Sequence, residues 1–157
     1  MSTTFNEYET RERKFIDWYI NLKPEHKMEE VSQIGSFKRN DFIMLSGSCY
    51  VMAEVKVRTF NYDKYPTAVI ELNKVNSLME LFQPYNKMGG DNNKLYYYAA
   101  YPMSRKVLIF DIIKTPTTLS YEYCPITTAG PNRGPNRGSK YKAMVNYKIE
   151  DAIVLEY

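Results

Sequence analysis

The stretch at residues 40–58, NDFIMLSGSCYVMAEVKVR, joins two runs of strand-forming residues through a glycine-containing break, which is the pattern of a β-hairpin. If Gly47 is the first residue of a two-residue turn, facing residues have numbers that add to 95, and Asp41 lies opposite Glu54. Lys56 points to the same face as Glu54, because side chains alternate along a strand. A three-residue turn would shift the register by one residue and make the contact between the two carboxylates diagonal.

The charges of this hairpin interrupt an otherwise apolar strand. A charged side chain inside a sheet costs free energy unless it is paired, solvated or bound to a metal. Two carboxylates that face each other also repel, which argues for a cation between Asp41 and Glu54 or for a raised pKa on one of them. Two interpretations follow: the face holds a functional site, or it is a solvated strand face on which Asp41 caps a turn.

Residues 5–22 predict a helix, because their apolar side chains recur at spacings of three and four. Glu12 lies one turn from two of these side chains, which places its carboxylate on or beside the buried face, with Glu9 behind it. The apolar set of this helix is Tyr8, Phe15, Trp18, Tyr19 and Leu22.

The remaining elements follow from periodicity and from turn residues. Residues 29–39 predict a first strand, and residues 65–82 predict a second helix with Pro66 in its first turn. Further strands are predicted at 94–102, 106–112, 121–130 and 143–157. The order helix, three strands, helix, strands indicates an α/β fold with a mixed sheet, of the α+β type. At 157 residues, the chain is expected to form one domain, 1–157.

Composition excludes several classes of protein. The sequence has neither a signal-peptide core nor a run of about 18 apolar residues, so we expect a cytoplasmic protein without a membrane span. Cys49 and Cys124 lack His or Cys neighbours at ligand spacing, so neither a zinc site nor a disulfide is expected. The net charge of +3 fits a protein that binds a polyanion. The basic segment near 129–141 repeats GPNR and predicts a mobile loop.

The order of elements and charges resembles the PD-(D/E)xK nuclease superfamily, which has the restriction-endonuclease-like fold and includes archaeal-type Holliday junction resolvases. Asn40-Asp41 matches the Pro-Asp element, and Glu54-Val55-Lys56 matches the acid-x-Lys element. The resemblance covers roughly two thirds of the chain. Acid-x-Lys tripeptides occur three times in this sequence, but only this one follows an apolar strand and an aspartate thirteen residues earlier, and precedes an amphipathic helix.

The resemblance implies a Mg²⁺ (or Mn²⁺) ion held by Asp41, Glu54 and the carbonyl of Val55, with Glu12 binding a second ion or a metal water. Lys56 would orient the attacking water and offset phosphate charge. The implied reaction is the endonucleolytic hydrolysis of DNA phosphodiester bonds, with branched or structured DNA as one class of substrate. A homodimer is the natural form for cutting two strands, and the tyrosine-rich segment LYYYAAYP is a candidate for part of its interface.

Two other interpretations remain open: a non-catalytic DNA- or protein-binding module that retains the nuclease fold, and an unrelated α+β domain with coincidental charges. A protein partner would be one source of specificity in the absence of an appended recognition domain. The compact chain with its duplicated loop is compatible with an accessory enzyme of a phage or mobile element. The candidates for DNA contact are Arg58, Lys74, Arg133, Arg137 and Lys140.

Overall fold

The computed structural model describes residues 5–32, 39–87, 92–125 and 139–156. Two helices and nine strands form within these ranges, together with two short 3₁₀ turns. In chain order they are α1 (Phe5–Leu22), β1 (Lys27–Val31), β2 (Phe42–Ser46), β3 (Cys49–Val57), β4 (Thr67–Glu71), α2 (Leu72–Lys87), β5 (Lys94–Tyr101), β6 (Lys106–Asp111), β7 (Thr117–Pro125), β8 (Ser139–Lys148) and β9 (Ile153–Glu156).

The strands form two sheets. The larger sheet has the order β1-β2-β3-β5-β6-β9, in which β3 and β5 run parallel and every other pair runs antiparallel. The smaller sheet is antiparallel, with the order β4-β8-β7. The prediction of a mixed α+β architecture is therefore confirmed. No helix within the described ranges is long and apolar enough to cross a membrane.

Each face of the larger sheet is covered by a different layer. Side chains at odd positions of β3, such as Val51 and Val55, pack in one apolar cluster with Phe15 and Tyr19 of α1. Met52, on the other face of β3, belongs to a second cluster, which includes residues of α2 and of the smaller sheet. Glu54 and Lys56 share the face of Met52 because side chains alternate along the strand. The charged residues of β3 thus lie on the α2 side of the sheet.

The hairpin between β2 and β3 has the predicted register. Ser46 pairs with Cys49, and Phe42 pairs with Ala53, so facing residues have numbers that add to 95. Gly47 has a φ of +63°, as a two-residue turn with glycine first requires. The backbone N–H of Asp41, one residue before β2, donates to the carbonyl of Ala53 at 2.9 Å. This register places Asp41 beside Glu54.

The predicted helix at 65–82 is wrong at its start. Residues 67–71 form β4, and α2 begins only at Leu72 and continues to Lys87. Strand β4 pairs with β8, from Thr67 opposite Lys148 to Glu71 opposite Met144. Pairing with a strand more than 70 residues away outweighs the local helical pattern, and no local pattern reveals such a partner.

Three predicted strands have other bounds in the structure. The first is β1, at Lys27–Val31, and residues 33–38 of the predicted stretch lie outside the described residues. The predicted strand at 143–157 is two strands, because a 3₁₀ turn at Ile149–Asp151 carries the chain from β8 in the smaller sheet to β9 at the edge of the larger one. The predicted strand at 121–130 corresponds in part to β7, Thr117–Pro125, and residues 126–130 lie outside the described residues.

Two further expectations concern the tyrosine-rich strand and the basic loop. LYYYAAYP is the buried strand β5, in which Tyr97, Tyr98 and Tyr101 are almost fully inaccessible, so these side chains belong to the core and cannot form an interface. Of the predicted loop near 129–141, the last three residues belong to β8, and residues 129–138 lie outside the described residues.

Replacing Gly47 by alanine is expected to destabilise the protein by about 1 kcal/mol, because a Cβ at this positive φ is strained while no heavy atom lies within 4 Å to clash with it. For a chain of this length the loss corresponds to a decrease of about 2–4 °C in Tm, measurable by calorimetry. Ser48→Ala is the control, because Ser48 is not among the positive-φ residues of the described chain. Equal losses in the two variants would contradict the role given to the Gly47 conformation.

Candidate active site

The carboxylate of Glu54 is the centre of a charged cluster. Its side chain has 0% exposure, in the middle of β3. Glu54 Oε1 lies 3.1 Å from Lys56 Nζ, and Glu54 Oε2 lies 3.0 Å from Lys74 Nζ. One lysine comes from the same strand and the other from the first turn of α2. Each oxygen of the buried carboxylate therefore has its own ammonium partner.

Glu12 connects this cluster to α1. Its Oε1 accepts a hydrogen bond from Lys56 Nζ at 3.0 Å, and its side chain is only 13% exposed. The position agrees with the prediction that Glu12 lies on or beside the buried face of the helix. Lys56 thus bridges two carboxylates, one on β3 and one on α1.

Asp41 completes the group from the start of β2. Its Oδ2 accepts a hydrogen bond from the backbone N–H of Val55 at 2.6 Å. Burial raises the pKa of Asp41 well above its usual range, and the Glu54 and Glu12 carboxylates raise it further. Lys56 and the N–H of Val55 act in the opposite direction without cancelling this effect. Asp41 is therefore partly buried close to two other carboxylates. This environment disfavours the ionised form of Asp41 unless a cation lies nearby.

The pKa values of two other groups in the cluster, Glu12 and Lys56, are also raised. Burial raises the pKa of Glu12, with a smaller opposing contribution from Lys56. For Lys56, burial acts to lower the pKa, but the carboxylates of Glu54, Glu12 and Asp41 outweigh it, so the pKa is raised and the ammonium stays charged at neutral pH. The cluster therefore holds a charged ammonium group beside Glu12 and Asp41, two carboxyl groups whose pKa values are raised.

The donors present fit a divalent cation. Both oxygens of Glu54 are buried, and neither accepts a hydrogen bond of normal geometry, although both are ion-paired. Carboxylate oxygens are the ligands that Mg²⁺ prefers, and burial, with a smaller contribution from neighbouring carboxylates, raises the pKa values of Asp41 and Glu12, so a cation would favour their ionised forms. Within the described residues, no three acidic, His or Cys side chains are already spaced as a metal-ligand group. Binding would thus require the lysine ammonium groups to give way.

The structure brings together Asp41, Glu54, Lys56 and Glu12, the four side chains predicted as catalytic. Lys74, predicted as a candidate for contact with the DNA phosphate or for the water site, with a solvated helix face as the alternative, also belongs here through its ion pair with Glu54. Sequence reasoning underestimated Lys74 because the start of α2 was misplaced. Because α2 begins at Leu72, Lys74 lies in the first turn of this helix, three residues after the end of β4.

The remaining candidates for DNA contact lie elsewhere. Arg58 donates to the carbonyl of Val69 at 2.6 Å and to the hydroxyl of Tyr97 at 3.1 Å, so it ties β4 to the larger sheet. Lys140 is exposed on β8, and its role in DNA contact stays a prediction. The two arginines of the duplicated segment, Arg133 and Arg137, lie outside the described residues.

The larger, mixed sheet is covered by α1 on one face and by α2 and the smaller sheet on the other. This arrangement, with the charged β2–β3 hairpin between the two helices in the chain, is a restriction-endonuclease-like fold. A solved structure similar to this chain is that of Hjc, a Holliday junction resolvase from the archaeal hyperthermophile Archaeoglobus fulgidus, with a TM-score of 0.50 and 17% sequence identity. The alignment covers 69% of this chain and 81% of the resolvase. At this identity the likeness shows the fold alone. No family profile and no curated protein matches the chain.

Without added metal, Asp41→Asn is expected to be more stable than the wild type. The Asp41 pKa is raised on folding, so the carboxyl contributes stability that is present below its unfolded pKa of about 3.8 and is lost as the pH rises through the folded value. The asparagine avoids that loss and can still accept the Val55 N–H. The gain in Tm should therefore grow from pH 4 to pH 8 in EDTA.

The control for this prediction is Asp63→Asn, which removes an exposed aspartate from the loop after β3. Its Tm should follow that of the wild type at both pH values. A Tm of Asp41→Asn below that of the wild type at pH 8 would show that Asp41 stabilises the metal-free protein.

Proposed function

We propose that this protein is a divalent-metal-dependent endonuclease that hydrolyses DNA phosphodiester bonds, with branched DNA as its preferred substrate class. The observation that carries the proposal is the convergence of Asp41, Lys56 and Glu12 on the buried carboxylate of Glu54. The restriction-endonuclease-like fold supports it, because the similar structure from Archaeoglobus fulgidus is that of a Holliday junction resolvase. The preference for branched DNA rests on that resolvase alone.

The cofactor is a Mg²⁺ or Mn²⁺ ion, for which Asp41, Glu54, Glu12 and the carbonyl of Val55 are the proposed ligands. When bound, such an ion would offset the charge that develops on the phosphate and would lower the pKa of a water, so that a hydroxide-like nucleophile is available near neutral pH. The backbone N–H of Val55 holds Asp41 Oδ2 in place, so this carboxylate is oriented before the cation arrives. Glu54 is fixed because it is enclosed by β3 and α2.

The two lysines have separate roles in the proposed reaction. Lys56, kept protonated by three carboxylates, donates a hydrogen bond from Nζ to the attacking water and so orients its lone pair toward the phosphorus. Lys74 lies on the α2 side of Glu54, where its ammonium group attracts a phosphate oxygen of the substrate. Glu12 keeps Lys56 in position through their 3.0 Å hydrogen bond.

DNA is the proposed partner, and a homodimer is the proposed form of the enzyme. A junction has two symmetry-related strands to cut, and two copies of the chain would supply two sites. Light scattering of the purified protein with and without a four-way junction measures this directly. A single copy per junction in the presence of DNA would contradict it.

Glu54→Gln and Lys56→Ala are each expected to lower the rate of cleavage of a four-way junction by about a hundredfold or more, because each removes charge that stabilises the transition state. Cleavage is measured with labelled junction and matched linear duplex, in Mg²⁺, Mn²⁺ or EDTA. Glu71→Gln is the matched control, since Glu71 is also ion-paired with a lysine, Lys142, at 2.7 Å but lies outside the cluster. If Glu71→Gln loses as much activity as Glu54→Gln, the assignment of the site fails.

Mn²⁺ at a hundredfold excess over its dissociation constant is expected to stabilise the wild type by about 2.7 kcal/mol, because the ion binds the folded protein only. For a chain of this length the corresponding increase in Tm is about 5–10 °C. Glu54→Gln should show no such increase, whereas Glu71→Gln should respond as the wild type does. An increase of the same size in Glu54→Gln would place the ion elsewhere.

A second candidate function has one observation in its favour. Lys56 and Lys74 already neutralise Glu54 without a metal, as expected of a binding module that retains the fold but not the activity. In that case the wild type binds junction DNA but does not cleave it in any metal, and Mn²⁺ leaves its Tm unchanged. Cleavage that requires metal and Glu54 excludes this alternative.

A further inference from the structure

The outer part of the β7–β8 hairpin carries an exposed row of tyrosines. Tyr121, Tyr123 and Tyr141 are 75%, 65% and 72% exposed, whereas three of the four tyrosines of β5 are buried. In the register of the hairpin Tyr123 pairs with Tyr141, and Tyr121 pairs with Ala143. Paired residues project to the same side of a sheet, so the three rings lie on one face. We call this set of rings the tyrosine face.

The tyrosine face is an extension of the core face of the smaller sheet. Val145 and Tyr147, two and four residues beyond Ala143 on the same side of β8, are buried in the apolar cluster between the sheets. Closer to the tip of the hairpin, the apolar cluster no longer covers this face of the sheet, and its side chains are exposed. A contiguous exposed aromatic surface of this kind marks a binding site more often than chance exposure does.

The rings are held by a regular scaffold. Strands β7 and β8 pair without interruption from Thr117–Tyr147 to Pro125–Ser139. The centroids of the Tyr123 and Tyr141 rings lie 5.0 Å apart at an angle of 55°. Tyrosine presents a large flat surface with only two side-chain torsions, so little entropy is lost when a ligand covers it. Because the two rings are inclined to each other, a flat ligand can stack on one of them at a time.

The hairpin is connected by one ion pair to the segment that leads into the charged cluster. Lys142 Nζ contacts Glu71 Oε1 at 2.7 Å, and Glu71 is the last residue of β4, directly before α2. Lys74, three residues later, contacts Glu54. Tyr141 lies one residue from Lys142 and about 10 Å along the strand from Met144, the partner of Glu71. This series of contacts links β8 to the segment whose Lys74 pairs with Glu54.

The charges of the hairpin match a polyanion. None of the residues that share the tyrosine face between 117 and 147 is acidic. Lys140 and Glu122 are exposed on the reverse face of the same ribbon, and the sequence between β7 and β8 contains Arg133 and Arg137 and no acidic residue. Phosphates attract such cations, and unpaired bases stack on aromatic rings with little dependence on sequence. Single-stranded DNA combines both features.

We propose that Tyr121, Tyr123 and Tyr141 form a stacking platform for unpaired bases of DNA at a branch or single-stranded end. The inference deepens the proposed nuclease function and rests on it for the identity of the substrate. Bases of a duplex are already stacked on one another, so the platform favours DNA whose bases are exposed. It thereby gives the protein a preference for structured DNA that the Glu54 cluster, which touches only phosphate, does not supply.

The test uses the full-length chain with two fluorescein-labelled probes, a 20-nucleotide oligothymidylate and a 20-base-pair duplex, in EDTA so that no cleavage occurs. Replacement of all three tyrosines by alanine is expected to weaken oligothymidylate binding by about fivefold to a hundredfold for each ring that stacks. Duplex binding should change less than twofold. The triple phenylalanine variant should bind as the wild type does, because it keeps the rings.

Leu119→Ala is the matched control, since Leu119 is 62% exposed on the same face but carries no ring. It should leave binding of the oligothymidylate unchanged. The Tm of each variant shows whether the hairpin has folded, and the phenylalanine variant keeps the test decisive if the alanine variant unfolds. Oligothymidylate binding equal in the alanine variant and the wild type overturns the platform, as does equal loss in the phenylalanine variant. A change of oligomeric state by light scattering, with DNA binding intact, also overturns it and assigns the face to protein contact.

The two proposals fail separately in this design. Cleavage in Mg²⁺ is measured in parallel on a four-way junction. If the wild type cleaves the junction but the alanine variant binds oligothymidylate normally, the platform is wrong and the nuclease stands. If the wild type binds oligothymidylate through the tyrosines but cleaves nothing in any metal, the nuclease is wrong and the platform stands.

Discussion

The site depends on the burial of one negative charge, the carboxylate of Glu54. A carboxylate with no exposed surface would be prohibitively costly in an apolar interior if it were ionised and unpaired. Lys56 and Lys74 compensate it at 3.1 and 3.0 Å. Because Lys74 belongs to α2 and Lys56 to β3, this compensation also fixes the helix against the sheet. Loss of either lysine would leave a buried charge only partly paired, which is more costly than removing the whole group.

The placement of that charge follows from the way three elements meet at the end of β3. The side chains at odd positions of β3 pack in the apolar cluster on the α1 side of the sheet, and Met52 packs in the cluster on the α2 side. Further along the same face of β3, the apolar side chains are followed by the charged side chains of Glu54 and Lys56. Glu12 of α1 contacts Lys56 there. Asp41 arrives through the hairpin register, with its Oδ2 bound to the N–H of Val55. Side chains from α1, from β3 and from the residue before β2 are thereby brought around the buried carboxylate of Glu54.

The sequence was sufficient for the parts of this arrangement that are local. A glycine-first turn determines the pairing of β2 with β3, so the neighbourhood of Asp41 and Glu54 could be predicted from Gly47 alone. The periodicity of α1 likewise placed Glu12 near the buried face. Strand β4 could not be predicted, because the residues at 67–71 become a strand only by pairing with β8, far away in the chain. The role of Lys74 was underestimated for the same reason, since its distance to Glu54 depends on where α2 begins.

The charge balance of the cluster explains why a cation belongs to the proposed chemistry. When all groups are ionised, the three carboxylates of Asp41, Glu54 and Glu12 face only two ammonium groups, so an excess of negative charge remains where a phosphate would have to approach. The raised pKa values of Asp41 and Glu12 come mainly from burial, to which the repulsion between the carboxylates adds a smaller contribution. A divalent ion would relieve this repulsion and reverse the sign of the potential at the same point. The lysines that stabilise the buried carboxylate without metal would then be released toward the substrate, where their positive charge is needed.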